Sequence, residues 1–427
     1  MPASKSNAWQ RLDNAAKIFP PTTGKRDTKV FRFACELYEP VDPQILQAAL
    51  DKTVEAFPFF QSVLRKGLFW YYLERSSLRP TVLPETEPPC SSLYDQEVKR
   101  LLFQVTYFEE RINFEVYHAL TDGTGALQFL RMLVYQYILR RHPEDFGGAL
   151  PPFTYDASLS QKEDDSFQKY YTNTKHAFGP KKPRACRIRG QHVPFDRIRV
   201  TEGHMPVKQV MEIAHRYNAT LTVLLTALLM QSINATLSQR ERRRPVVVTI
   251  PVNLRNYFPS ASARNFFSIF EVGHRFDSPQ ASLEELIQEL SAHFQQELTL
   301  ENLCNRLNLL TSIEHNIFTR ITPLALKDIC LSIAGSMSEA KSTASLSNIG
   351  RISMPDGFER YIRLFDVFVS TEKVQICMCS YRDHLTISFS SAFAGAEVEK
   401  NFFRALTQMG VEVEIVSTPP EPGNGNA

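Results

Sequence analysis

The period of the hydrophobic pattern changes at one residue, and that change restricts the fold more than any other feature of the chain. Leu101, Phe103, Val105 and Tyr107 alternate, Glu109-Glu110 supply a turn, and Ile112, Phe114 and Val116 resume the alternation. This is the period-two signature of a β-hairpin, and continuing it by two residues carries His118 onto the same inward face. Beyond it the repeat is helical, through Leu127, Leu130, Val134, Tyr137 and Ile138, which predicts a helix from about Gly123 to Arg140. A strand that runs into a helix across a few residues needs helices layered on a sheet, so the chain is read as α/β.

At 427 residues the chain exceeds what one hydrophobic core supports, which is about 250 to 300 residues. From about His142 to Arg199 the composition shifts to Pro, Asp, Lys and Arg with little periodicity, so this stretch is the expected crossover between two halves. The division expected is an amino-terminal half over 1–180, a linker over 181–200, a carboxyl-terminal half over 201–416 and a disordered tail over 417–427. Within the halves, helices are predicted at 43–56, 206–217, 220–237, 283–298, 300–319 and 397–409. Strands are predicted at 28–38, 62–73, 246–252 and 411–416, with three or four more between 344 and 393.

Composition excludes several classes. With 48 Lys+Arg against 46 Asp+Glu the formal net charge is +2, so no global field recruits nucleic acid. No run approaches the roughly 18 apolar residues that span a bilayer, and the first residues lack the apolar core of a secretory signal, so a cytoplasmic location is expected. The seven cysteines form no C-x-x-C pair, and Cys377 and Cys379, two apart in a strand-like run, read as core thiols.

The segment His118-Ala119-Leu120-Thr121-Asp122-Gly123 carries the chemistry. Ten histidines and Asp at about 4% of positions give roughly 0.4 chance matches to H-x-x-x-D, and two occur. Requiring Gly after Asp lowers the expectation to about 0.02, and only the match at His118 meets it, at a strand-to-helix junction. A neutral imidazole there can take a proton from a hydroxyl or amine as it attacks an acyl carbon. The positive end of the following helix is expected to keep that imidazole uncharged. Asp122 is read as structural, a helix-start carboxylate paired with an Arg, and Gly123 and Gly125 as permitting a tight backbone path. No third ligand is spaced to join His118 and Asp122 on a metal, so no metal is expected.

H-x-x-x-D-G at such a junction, in a chain divided into two α/β halves, resembles the superfamily of chloramphenicol acetyltransferase, condensation domains, plant acyltransferases and alcohol acetyltransferases. Pro251-Val252-Asn253-Leu254-Arg255 with Asn265-Phe266, Ser347-Asn348-Ile349-Gly350, and Arg11-Leu12-Asp13 with Phe19-Pro20 extend the match, the last towards the bacterial alcohol acetyltransferases. The resemblance implies a two-domain pseudo-dimer, each half a mixed sheet flanked by helices, with a channel between them. It makes His118 the general base, Asp122 a structural residue salt-bridged to Arg255 with Arg65 in reserve, and Ser347 or Asn348 a contact to substrate or oxyanion. It further implies acyl-CoA, acetyl-CoA in the first instance, as co-substrate with no permanently bound cofactor, and a small alcohol or amine as acceptor.

Two departures bear on the branch. Tyr117 stands where condensation domains carry a second histidine, and no D-F-G-W-G occurs near the carboxyl end. The leading expectation is therefore direct O-acyl transfer from acyl-CoA to an alcohol. The alternatives are a free-standing condensation-type enzyme using an acyl carrier protein and a non-catalytic binding protein that keeps the fold.

Overall fold

Helices begin and end where local chemistry says they should. The Pro43–Ala56 helix starts on Asp42, whose side chain accepts from the backbone N–H of Gln44 and Ile45 at 2.9 and 3.1 Å, with Pro43 in the first turn where no N–H is needed. The Gly123–Arg141 helix carries Arg140 and Arg141 in its last turn, against the negative end of its dipole. The Leu221–Thr236 helix is capped by Thr220 and buried on most of its surface, as its nearly uninterrupted apolar sequence requires. The computed structural model describes residues 9–147, 151–153, 158–173, 183–195 and 197–418.

Among the described residues the strands form three sheets. The five-stranded sheet runs in the order Ile362–Val369, Val30–Leu37, Arg111–Tyr117, Phe103–Phe108 and Val82–Pro84. The seven-stranded sheet runs Phe267–His274, Val246–Asn253, Ala344–Ile352, Val374–Tyr381, His384–Ser391, Arg199–Pro206 and Glu414–Ser417. Ala344–Ile352 lies parallel to both its neighbours while the other pairs in that sheet are antiparallel, so the sheet is mixed. A small antiparallel sheet joins Trp9–Arg11, Tyr71–Arg75 and Ser62–Lys66. One hydrophobic core collects around the five-stranded sheet and the helices Pro43–Ala56 and Gly123–Arg141, and a second around the seven-stranded sheet and the helix Leu221–Thr236. The architecture is thus α/β, with mixed sheets flanked by helices in two cores.

Several expectations need correction. The run 62–73 is two strands, because the chain reverses at Gly67, where the N–H of Gly67 bonds the carbonyl of Trp70 at 3.0 Å. The predicted helix 300–319 breaks at Asn316, whose side chain caps a new helix, Ile317–Ile321. The Leu324–Glu339 helix was not expected at all; its apolar stripe faces outward, so it lacks the buried face that periodicity usually reports. The strand Ile362–Val369 pairs with Val30–Leu37 and so completes the sheet of the other half. Arg111–Tyr117 is buried on both faces from Ile112 onward, so its polar alternates Asn113 and Glu115 lie inside too. Cys377 and Cys379 are buried free thiols. Residues 181, 182 and 196 of the expected linker and most of the 417–427 tail lie outside the described residues. No single described helix is long and apolar enough to cross a membrane.

Candidate active site

His118 sits one residue past the Arg111–Tyr117 strand, in the turn that leads to the Gly123–Arg141 helix, with its backbone N–H bonded to the carbonyl of Lys29 at 2.9 Å. Phe19 stacks on the imidazole at a centroid distance of 4.4 Å, and Phe31 and Phe267 flank it at 4.9 and 5.5 Å. These rings fix the plane of the side chain while the residue as a whole remains only half-buried.

The ring nitrogens are distinguished by their partners. Nδ1 lies 3.2 Å from Oδ1 of Asn265. An amide oxygen only accepts, so Nδ1 carries the proton and donates. The amide is held that way round because its Nδ2 donates to Oδ2 of Asp13 at 3.3 Å, with the backbone N–H of Asn265 donating to the same oxygen at 3.3 Å. Nε2 is then the unprotonated nitrogen. No described residue offers it a hydrogen bond, and it is not among the polar atoms sealed without a partner.

Burial pushes the His118 pKa below its usual 6.5, against the nearby Asp122 carboxylate, which pulls it up. Loss of water thus acts in the direction expected from the sequence, favouring a neutral imidazole. Asp13, itself buried, is pushed up to about 6 by the same desolvation, offset in part by the Arg264 guanidinium, whose Nε lies 3.7 Å away.

Asp122 is the N-cap of the Gly123–Arg141 helix, its Oδ1 accepting from the backbone N–H of Gly125 at 3.0 Å. Its Oδ2 accepts from Arg255 Nη1 at 2.7 Å and from the backbone N–H of Phe266 at 2.8 Å. Arg255 also donates from Nε and Nη2 to the carbonyl of Ser262 at 3.0 and 2.8 Å and from Nη2 to that of Arg264 at 2.5 Å. One buried ion pair therefore ties the helix start of the first core to the 262–266 loop of the second, and that loop delivers Asn265 to His118. Arg65 is elsewhere, paired with Glu74 at 2.6 Å.

Neither Gly123 nor Gly125 adopts positive φ; their requirement is steric. A Cβ on Gly125 would lie 2.0 Å from the carbonyl oxygen of Ala263, and one on Gly123 would lie 3.1 Å from Cδ1 of Ile349. Ile349 belongs to the strand that carries Ser347 and Asn348, so that strand passes close to the helix start. Asn348 donates to Thr222 Oγ1 at 3.0 Å and accepts from the N–H of Gly350 at 2.8 Å, across a bulge where Gly350 has φ +86°. Neither Ser347 nor Asn348 bonds His118. Tyr117 turns away from the site, stacking on Tyr94 and sharing a 2.7 Å hydrogen bond with Thr23. Arg242 folds back on the end of the Leu221–Thr236 helix, donating to the side chain and the backbone carbonyl of Asn234 at 2.9 and 3.2 Å.

Sequence reasoning gave Asp13, Phe19 and Asn265 no role. All three lie in segments that carried the resemblance, yet no spacing rule pairs residue 13 with residue 265.

No protein-family model and no curated protein sequence matches the chain. Solved structures do match in fold. TRI101 of F. sporotrichioides, complexed with coenzyme A and T-2, superposes with a TM-score of 0.63 at 12% identity over 94% of this chain and 98% of that one. TRI3 trichothecene 15-O-acetyltransferase from Fusarium sporotrichioides gives 0.61 at 11% identity, covering 94% of each chain. The first condensation domain of the calcium-dependent antibiotic synthetase, in complex with a substrate analogue, gives 0.59 at 14% identity, covering 95% and 97%. The chain therefore shares its fold with these acetyltransferase and condensation-domain structures.

Proposed function

We propose that the chain is an acyl-CoA-dependent O-acyltransferase in which His118 is the general base and an alcohol is the acceptor. The observation that carries this reading is the Asp13–Asn265–His118 chain of hydrogen bonds, which leaves Nε2 bare and aimed away from its partners. The acceptor hydroxyl gives its proton to Nε2 as its oxygen attacks the thioester carbon. The tetrahedral intermediate then expels the thiolate, whose conjugate thiol pKa near roughly 8.5 makes it a far better leaving group than an alkoxide. No acyl-enzyme is required, and orientation of the two substrates supplies part of the rate. Asp122 and Arg255 hold the two cores in register, and Ser347 or Asn348, on the strand beside the helix start, is assigned the contact to substrate or oxyanion.

Coenzyme A in the complex of TRI101 and the acetyltransferase activity in the name of TRI3 favour CoA over a carrier protein as donor. Tyr117 in place of a second histidine agrees with that choice. The test is a purified-protein assay that offers acetyl-CoA and an acyl carrier protein in parallel with a panel of alcohols. Transfer from acetyl-CoA, lost in His118→Ala, is expected. Turnover with the carrier alone, or equal turnover in His118→Ala, overturns the reading.

A further inference from the structure

The Leu324–Glu339 helix presents an exposed face with no charge on it: Leu326, Ile329, Cys330, Ile333 and Met337 all point to solvent, while Lys327 turns inward and is buried. Water-facing helices ordinarily carry Lys or Glu along such a stripe. The short helix Ile317–Ile321 precedes it, with Ile317, Phe318 and Ile321 exposed, Phe318 by 74%. A third segment joins them. The hairpin tip at Leu68, 73% exposed, and Phe69 is fastened to the same helix, because Leu324 N–H donates to the carbonyl of Leu68 at 2.9 Å and Lys327 Nζ to that of Phe69 at 2.8 Å. Trp70 follows, with Lys327 Nζ 3.3 Å from its ring centroid.

We propose that this patch docks the protein on a lipid bilayer surface. Exposed apolar residues contributed by three segments exceed what isolated surface hydrophobics explain and mark an interaction site. Charge decides the occupant. Between residues 316 and 338 the one carboxylate is Asp328, which is turned to Tyr71 Oη at 2.9 Å and Lys66 at 3.6 Å. The exposed cations beside the patch are Lys66, next to the hairpin tip, and Arg320, between Phe318 and Ile321. Lys66 shares its charge with Asp328, but among the described residues Arg320 bonds only the backbone carbonyl of Glu314, so the edge of the patch keeps a positive charge that complements lipid phosphates. Phe318 and Leu68 are uncovered over most of their surface, as suits insertion among acyl chains and headgroups. The surface is distinct from His118, but a cavity of about 340 Å³ lies beside it, lined by Trp70, Tyr71, His315 and Arg320 from these segments and by Leu12, next to Asp13. The docking surface stands independently of acyl transfer.

The experiment is flotation of the full chain with phosphatidylcholine vesicles containing about one-fifth phosphatidylglycerol, at low and high salt. The chain is expected to float with the vesicles. The variant Phe318→Glu/Ile329→Glu is expected to partition about tenfold less, with its circular dichroism and Tm unchanged because both positions are exposed. Leu68→Ser, at the separate hairpin tip, is expected to lower partitioning about threefold. Failure of the parent chain to float overturns the proposal. So does a concentration-dependent dimer in light scattering that Phe318→Glu/Ile329→Glu dissolves while vesicle binding is unaffected, since the patch would then be a protein interface.

Discussion

Oδ1 of Asn265 accepts a hydrogen bond from Nδ1 of His118 at 3.2 Å, although the two residues are 147 apart in the chain. A base assembled this way loses its orientation when either half shifts.

Asn265→Ala removes the acceptor that fixes the tautomer. The expected result is a fall in kcat of about a hundredfold with KM for acetyl-CoA little changed, against complete loss in His118→Ala. Asn265→Gln moves the amide by one methylene and is expected to recover little. Steady-state kinetics on the three variants decides it; a loss confined to KM would mean that Asn265 binds substrate instead.

Asp122 and Arg255 make a structural prediction. The pair is buried, and Asp122→Ala leaves the Arg255 guanidinium in a low-dielectric site while also uncapping the Gly123–Arg141 helix. Breaking one side of such a pair costs about 3 to 5 kcal/mol, and losing the cap about 1 kcal/mol more. Urea unfolding of Asp122→Ala is expected to show that loss together with lowered activity, whereas His118→Ala keeps the parental midpoint. A stable but inactive Asp122→Ala would instead place this carboxylate in the chemistry.

The parts of this arrangement that the sequence showed are those governed by short-range physics. The 43–56 helix is found where predicted, and the helix expected from Gly123 runs to Arg141, because a cap, a proline and a stripe of apolar residues act within a few turns. The placing of Asp122 at a helix start was legible for the same reason. What was not legible depends on contacts between distant segments: Asp13 with Asn265, Phe19 on His118, and the passage of Ile362–Val369 into the other sheet. The Leu324–Glu339 helix escaped because its apolar residues face outward, which the assumption of a buried stripe cannot anticipate.

Gly125 tests how tightly the Gly123–Arg141 helix meets the 262–266 loop. Its Cβ position falls 2.0 Å from the Ala263 carbonyl oxygen and 2.2 Å from Thr121 Oγ1, and a backbone oxygen cannot step aside as a side chain can. Gly125→Ala is therefore expected to push the 262–266 loop away, costing about 1 to 3 kcal/mol. Because that loop carries Asn265, activity should fall more than stability does. Gly24→Ala, where a Cβ meets nothing within 4 Å, is the control and should leave both unchanged.

The pH dependence separates this mechanism from simple acid unfolding. Activity needs His118 neutral and Asp13 ionised; the first has its pKa below 6.5 and the second at about 6. Both acquire a proton as the pH falls, so the acid limb of log kcat/KM should turn down as Asp13 protonates near pH 6 and approach a slope of two once the pH lies below both pKa values. In Asp13→Asn one of the two titrating groups is gone, and the slope should fall to one on a lower plateau. Stability runs otherwise. The depressed His118 contributes stability that is lost as pH falls, but the raised pKa of Asp13 contributes stability that is present at low pH and lost as pH rises through about 6. Glu202, pushed up to about 8 by burial, acts in the same sense as Asp13. Thermal melts between pH 7 and 5.5 should therefore hold level or rise while activity drops; a parallel fall of both would assign the acid limb to unfolding.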